Sequence, residues 1–155
     1  MTTTIQQSDH IYFIGIGGVS MSGLAEILIT RGCKVSGTDL KDSPTTKHLE
    51  SLGIHVNFGH KKENITDDIT LVVYTAAIHD DNPELQCARQ KGIRILDRAQ
   101  LLGQLMGEYA YSVAVAGTHG KTTTTSMVSE ILLAANTDPT ITVGGFLPTI
   151  ESNLR

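Results

Sequence analysis

Two short glycine-rich stretches carry the residues whose types and spacing could do chemistry. The first is Gly15-Ile16-Gly17-Gly18-Val19-Ser20, which follows the apolar run at 10–14 and opens a helical pattern. A turn of this G-x-G-x-x-G type, placed between a strand and a helix, is built to receive a diphosphate. Gly15 lets the chain turn sharply, and Gly17 and Gly18 let phosphate oxygens approach main-chain N–H groups. The free N–H groups of Val19 and Ser20 at the helix start, with the helix dipole, favour an anion. Ser20 stands where the third glycine of such a loop falls, which loosens the packing of helix on strand. Asp39 comes after the second predicted strand, near the place where dinucleotide-binding folds hold a ribose hydroxyl; a plain strand-end cap is the alternative. Taken alone, the loop reads either as a simple connection or as a nicotinamide or flavin dinucleotide site.

The second stretch is Ala116-Gly117-Thr118-His119-Gly120-Lys121-Thr122-Thr123, after the apolar Val113-Ala114-Val115 and before another helical pattern. Gly120-Lys121-Thr122 is the end of a nucleoside triphosphate loop. Main-chain N–H groups cradle phosphates, Lys121 reaches the β- and γ-phosphates, and the Thr122 hydroxyl is offered to Mg²⁺. The full pattern has a glycine where this chain has Val115, so the loop is a shortened variant that begins at Gly117. His119 reads as shaping the loop rather than as catalytic. Two such loops predict two phosphorylated ligands. A working triphosphatase also needs a carboxylate at the end of another strand. After Thr123 the only acids are Glu130, Asp138 and Glu151; the first falls in mid-helix and the others end no predicted strand. The expectation is one complete domain at 1–107 and the truncated start of a second at 108–155, with a hinge around 107–110.

The elements that must position these loops alternate. Strand-like runs fall at 10–14, 34–38, 54–58, 70–75, 93–96 and 112–116. Between them, Met21, Leu24, Ala25 and Leu28 share one helical face. A second helix over 83–91 has Asn82 as N-cap, Pro83 in its first turn and Gly92 beyond its end. A third covers 98–106, and the last runs from the second loop through Met127, Val128, Ile131, Leu132 and Ala135. This order predicts an α/β fold, a Rossmann-like parallel sheet with helices on both faces, followed by the first βα unit of a phosphate-loop domain.

Composition narrows the class. The chain has 155 residues, 40% of them hydrophobic, a net charge of −4 and a pI of about 5.8. No basic stripe marks it as a nucleic-acid binder, and no stretch is long enough to span a membrane. Cys33 and Cys87 read as reduced thiols, and the compartment expected is the cytoplasm. His10, His48, His55, His60 and His79 lack metal-ligand spacing and read as surface or satisfied core residues. Asp67-Asp68 and Asp80-Asp81 read as solvated turn acids.

The two loops, in this order and at this separation, resemble those of the Mur ligases of bacterial cell-wall synthesis. The segments that carry the likeness are Phe13 to Gly18, Met21-Ser22-Gly23-Leu24-Ala25, Val35-Ser36-Gly37-Thr38-Asp39, Asp81-Asn82-Pro83-Glu84, Arg98-Ala99, Ala116 to Thr125, and Gly144-Gly145 with Asn153 and Arg155. The resemblance implies that the first loop holds the diphosphate of UDP-N-acetylmuramate, with Asp39 near the nucleoside and Thr75, Asn82 and Arg98 lining the cleft. It implies that the second loop binds ATP and Mg²⁺, and that the alanine-adding branch joins L-alanine to the lactyl carboxylate through an acyl phosphate. Lys121 would neutralise charge on the transferred phosphoryl group, and Thr122 would hold the metal. Ser20, Ala76, Asp97 and Glu151 depart from the family pattern. The family's metal-binding glutamate and histidine lie beyond Arg155, so this piece is expected to bind the UDP-sugar without turnover. Two other readings stay open: a murein-peptide ligase of the same family, and a non-catalytic dinucleotide-binding module.

Overall fold

The computed structural model describes residues 4–155, and the chain divides into two compact units, one ending at Tyr109 and one running from Ala110 to Arg155.

The first unit is built on five parallel strands: β1 (His10–Ile14), β2 (Lys34–Asp39), β3 (His55–Phe58), β4 (Leu71–Tyr74) and β5 (Arg94–Asp97). Their order across the sheet is β3-β2-β1-β4-β5. The chain therefore reverses direction of winding between β1 and β4, and in open parallel sheets that crevice at the carboxyl ends of the strands is where ligands bind. β1 is buried along its whole length, which is why its sequence is apolar without alternation.

Helices cover both faces. On one side α1 (Val19–Thr30), α2 (Pro44–Ser51) and α4 (Arg98–Gly107) bring Met21, Leu24, Leu28, Leu49, Leu101 and Leu105 onto Ile11, Phe13, Val35 and Val73. On the other, α3 (Pro83–Gln90) brings Leu85 and Ala88 onto Tyr12, Ile14 and Val72. Fully burying each large apolar side chain contributes about 1.5–3 kcal/mol, so these two layers fix the strand ends from which the glycine loop departs.

The five strands and the helices α1, α3 and α4 follow the sequence reading within a residue or two. α2 does not appear in that reading, for a physical reason. Only Thr46 and Leu49 are buried on it, so no apolar stripe marks it. What starts it is a capping box in which Ser43 accepts from Thr46 N–H while the Thr46 hydroxyl accepts from Ser43 N–H, with threonine in the place usually held by Glu or Gln.

The second unit holds α5 (Lys121–Ala134) and an antiparallel pair, β6 (Thr142–Leu147) and β7 (Ser152–Leu154). Ile141, Val143 and Leu147 form its small core with Leu133 and Ile150. The predicted strand at 112–116 is a correction. The segment forms no strand and Val113 is 69% exposed, because a strand exists only where a neighbouring segment completes a ladder with it. Met127 and Ile131 are likewise exposed on α5.

Candidate functional site

At the carboxyl edge of the sheet the glycine loop is tied to the tip of β2. Gly15 N and Ile16 N both donate to Thr38 O, at 2.8 and 2.9 Å. Gly17 N donates to Asp39 Oδ2 at 2.8 Å, while Asp39 Oδ1 accepts from Leu40 N at 2.7 Å. Asp39, expected beside a nucleoside, thus spends both carboxylate oxygens on main-chain amides and clasps the loop. Gly17, expected to offer its amide to phosphate, has that amide engaged by Asp39.

The next amides divide: Gly18 N donates back to Gly15 O at 3.4 Å, whereas Val19 N and Ser20 N stand at the helix start. α1 begins at Val19 with Gly18 as N-cap and no side chain bonded to the helix start. Gly18, Val19 and Ser20 are all exposed. A helix start with no side-chain cap, open to solvent, offers orphan N–H donors and the positive end of the dipole. Arg98, the first residue of α4, donates from Nη1 to Ser20 Oγ at 3.1 Å, so a guanidinium stands at that same helix start. Thr75, just beyond β4, packs its methyl over Gly15, where an added Cβ would lie 2.9 Å from Cγ2. The fold therefore gathers Gly15, Gly17, Gly18, Val19, Ser20, Asp39, Thr75 and Arg98 around one crevice.

Asn82 is the N-cap that the sequence places before α3. Its Oδ1 accepts from Glu84 N and Leu85 N at 2.9 and 3.2 Å, capping α3.

Under the same edge lies a cluster that sequence reasoning missed. Glu84 is completely buried. Its Oε1 accepts from Tyr12 Oη at 2.9 Å and Asn64 Nδ2 at 2.7 Å; its Oε2 accepts from Thr38 Oγ1 at 2.7 Å and pairs with His60 Nδ1 at 2.8 Å. Burial raises the Tyr12 phenol well above its ordinary value, with the Glu84 charge adding to this, so Tyr12 acts as a neutral donor. In sequence, Glu84 looks like any acid in a first helical turn, where the dipole favours it, so nothing local announces its burial.

At the opposite edge His10 Nδ1 bonds Asp68 Oδ2 at 2.8 Å and His10 Nε2 bonds Ser36 Oγ at 2.7 Å. A carboxylate only accepts, so Nδ1 carries the proton and the Ser36 hydroxyl donates to Nε2. Burial lowers the His10 pKa, partly opposed by its hydrogen bond to Asp68. Asp68, expected as a solvated turn acid, is held well below the usual carboxylate range by Lys34, Thr66 and His10.

In the second unit, 117–123 is exposed throughout. Gly120 caps α5 at φ +75°, with no side chain bonded to the helix start. Nothing lies within 4 Å of a Cβ built on Gly120, so the mouth of the loop is open. Lys121 Nζ donates to Gly117 O at 2.6 Å and to Thr118 O at 3.3 Å, spanning the loop. Thr122 lies against β6, its Cγ2 3.2 Å from a Cβ built on Gly145. Among the described residues no group of three His, Cys, Asp or Glu is placed to hold a metal.

Residues 10–110 match the Mur ligase family, catalytic domain. The chain is 64% identical over 146 residues to a UDP-N-acetylmuramate–L-alanine ligase of Agathobacter rectalis, covering 94% of this chain and 32% of that protein. The crystal structure of a UDP-N-acetylmuramate-alanine ligase from Thermotoga maritima superposes with a TM-score of 0.85 at 36% identity, covering 94% of this chain and 34% of the other. A UDP-N-acetylmuramate:L-alanyl-gamma-D-glutamyl-meso-diaminopimelate ligase from Neisseria meningitides superposes with a TM-score of 0.87 at 32% identity, covering 95% of this chain and 46% of the other. The chain spans about a third of the length of the curated relatives it matches.

Proposed function

The chain belongs to the Mur ligase family, and from that premise we propose that it is the amino-terminal part of a UDP-N-acetylmuramate–L-alanine ligase in peptidoglycan precursor synthesis. The observation that carries this reading is the start of α1, free of any side-chain cap, with Arg98 beside it at Ser20. Orphan amides and a guanidinium converging on one exposed spot suit a diphosphate, and charge-assisted bonds of this kind are about twice as strong as neutral ones.

In this reading the amides of Val19 and Ser20 and the Arg98 guanidinium hold the UDP diphosphate, Gly18 N joins them by giving up its 3.4 Å bond to Gly15 O, and Thr75 keeps Gly15 in place beneath it. Asp39 serves the site by fixing Gly17 rather than by contacting the nucleoside. The second unit fits a nucleoside triphosphate: Gly120 to Thr123 present helix-start amides, Lys121 exchanges its two carbonyl partners for phosphate oxygens, and Thr122 offers its hydroxyl to Mg²⁺. Bound Mg·ATP supplies the phosphoryl group that activates the lactyl carboxylate, and the amine of L-alanine then displaces phosphate. This chain by itself is proposed to bind the UDP-sugar without turnover, in the cytoplasm; among the described residues no helix is long and apolar enough to cross a membrane.

Backbone similarity does not separate the alanine-adding enzyme from the murein-peptide ligase, since the two crystal structures superpose equally well. The 64% sequence identity favours the former. Against a dinucleotide module stands Asp39, whose two oxygens already face main-chain amides. Calorimetric titration tests the proposal: UDP-N-acetylmuramate binds, NAD does not, and Arg98→Ala weakens the sugar nucleotide about tenfold or more, as the loss of a charged hydrogen bond of about 1.5–3 kcal/mol implies. Binding of NAD with none of the UDP-sugar overturns it.

A further inference from the structure

Glu84 lies in the first turn of α3, beneath the sheet, yet it is connected to the glycine loop by a chain of only two residues. Its Oε2 accepts from the Thr38 hydroxyl at 2.7 Å. The main-chain carbonyl of the same Thr38 receives both Gly15 N and Ile16 N, and its neighbour Asp39 receives Gly17 N. Three consecutive loop amides are thus held by two consecutive residues, and the first of these is anchored to a buried carboxylate.

The cluster is more than a core hydrogen bond needs. Thr38 and Glu84 are both completely buried, and a buried carboxylate is tolerated only when its lone pairs are met by donors. Here Tyr12, Asn64, Thr38 and His60 supply two partners to each oxygen. These partners come from β1, from the turn before β4, from the tip of β2 and from the segment after β3. The carboxylate therefore ties the tip of β2, to which the glycine loop is bonded, to β1 and to the segments that carry His60 and Asn64. A neutral apolar contact at the same spot has no directional demand and would let the Thr38 carbonyl drift by the fraction of an ångström that decides where the loop amides aim.

We infer that Glu84 is a positioning residue for the anion-binding loop, acting through Thr38 to hold the amides of Gly15, Ile16 and Gly17 and so to set the start of α1. The inference rests on the diphosphate reading of that loop for its effect on affinity, but not for its effect on the loop itself.

The decisive variant is Thr38→Val, which removes the hydroxyl at constant shape and leaves Glu84 three of its four partners; Thr38→Ser restores the hydroxyl, and Glu84→Gln puts a donor among donors. Two readouts are taken on the chain as it stands. The first is the ¹⁵N–¹H resonances of Gly15, Ile16 and Gly17, compared with those of Gly53 and Gly92, remote turns outside this network. The second is the dissociation constant for UDP-N-acetylmuramate. The expected result is that Thr38→Val displaces the three loop resonances, leaves the remote ones in place and raises the dissociation constant about tenfold, with Thr38→Ser returning both readouts toward the parent. Loop resonances unmoved in Thr38→Val overturn the inference, as does an unchanged dissociation constant when the parent binds. If the parent binds no UDP-sugar, the proposed function fails, and the resonances alone still decide whether Glu84 sets the loop. Should Glu84→Gln not fold, the two threonine variants decide.

Discussion

Replacing Gly15 by alanine probes the glycine loop at the point where two independent costs meet. Gly15 sits at φ +83°, a left-handed conformation that costs an L-residue roughly 1–2 kcal/mol. An added Cβ also lands 2.9 Å from the Thr75 methyl, well inside van der Waals contact, and overpacking of this kind costs about 1–3 kcal/mol. The sum is about 2–5 kcal/mol. For a unit of this size 1 kcal/mol moves Tm by roughly 4–8 °C, so Tm should fall by at least about 8 °C. Urea unfolding gives the free energy directly. A second substitution separates the two costs, because Thr75→Ser removes Cγ2 and nothing else. In the double variant the contact portion should return, and the backbone portion of roughly 1–2 kcal/mol should stay. Gly18→Ala is the control: its φ is −65° and its nearest neighbour to a Cβ is at 3.6 Å, so its stability should hold within about 0.5 kcal/mol or rise slightly. The reasoning fails if Gly15→Ala is as stable as the parent, or if Thr75→Ser recovers either none of the loss or all of it.

Two further predictions follow from the same geometry. Asn82→Ala removes the acceptor for Glu84 N and Leu85 N and should cost about 1 kcal/mol in urea unfolding, while Asn82→Asp, which keeps the acceptor, should cost less than half of that. Stability should also fall on acidification. Burial holds the His10 pKa below its ordinary 6.5, so the unfolded chain takes up a proton that the folded chain refuses. The resulting loss begins as pH drops below 6.5 and grows until the lower folded value is passed, with a slope of at most about 1.4 kcal/mol per pH unit. Asp68, whose pKa is lowered by Lys34, Thr66 and His10, adds a loss of the same sign below pH 3.8. Unfolding titrations of the parent and His10→Gln between pH 7 and 5 check this; equal slopes in the two proteins would refute it.

The amino-acid order alone determined the alternation of β1 to β5 with α1, α3 and α4, because apolar runs, caps and terminal glycines act over a few residues and leave local traces. It also placed the glycine-rich turns that open α1 and α5, since the positive φ of Gly15 and of Gly120 is a backbone requirement that glycine meets locally. α2 left no such trace, because its stability comes from a capping box and a single buried leucine. Tertiary structure decided the rest. The 112–116 segment has strand composition and no strand, as a ladder needs a second chain segment to complete it. Asp39 clasps the amide of Gly17, because its partners depend on which strand end and helix start came together, whereas the Asn82 cap was legible in the sequence. Arg98 reached Ser20 across 78 positions, and Glu84 drew in Tyr12, Thr38, His60 and Asn64, a set that shares no spacing rule. Such groupings depend on the order of strands in the sheet, and that order is fixed by long-range packing that no local pattern encodes.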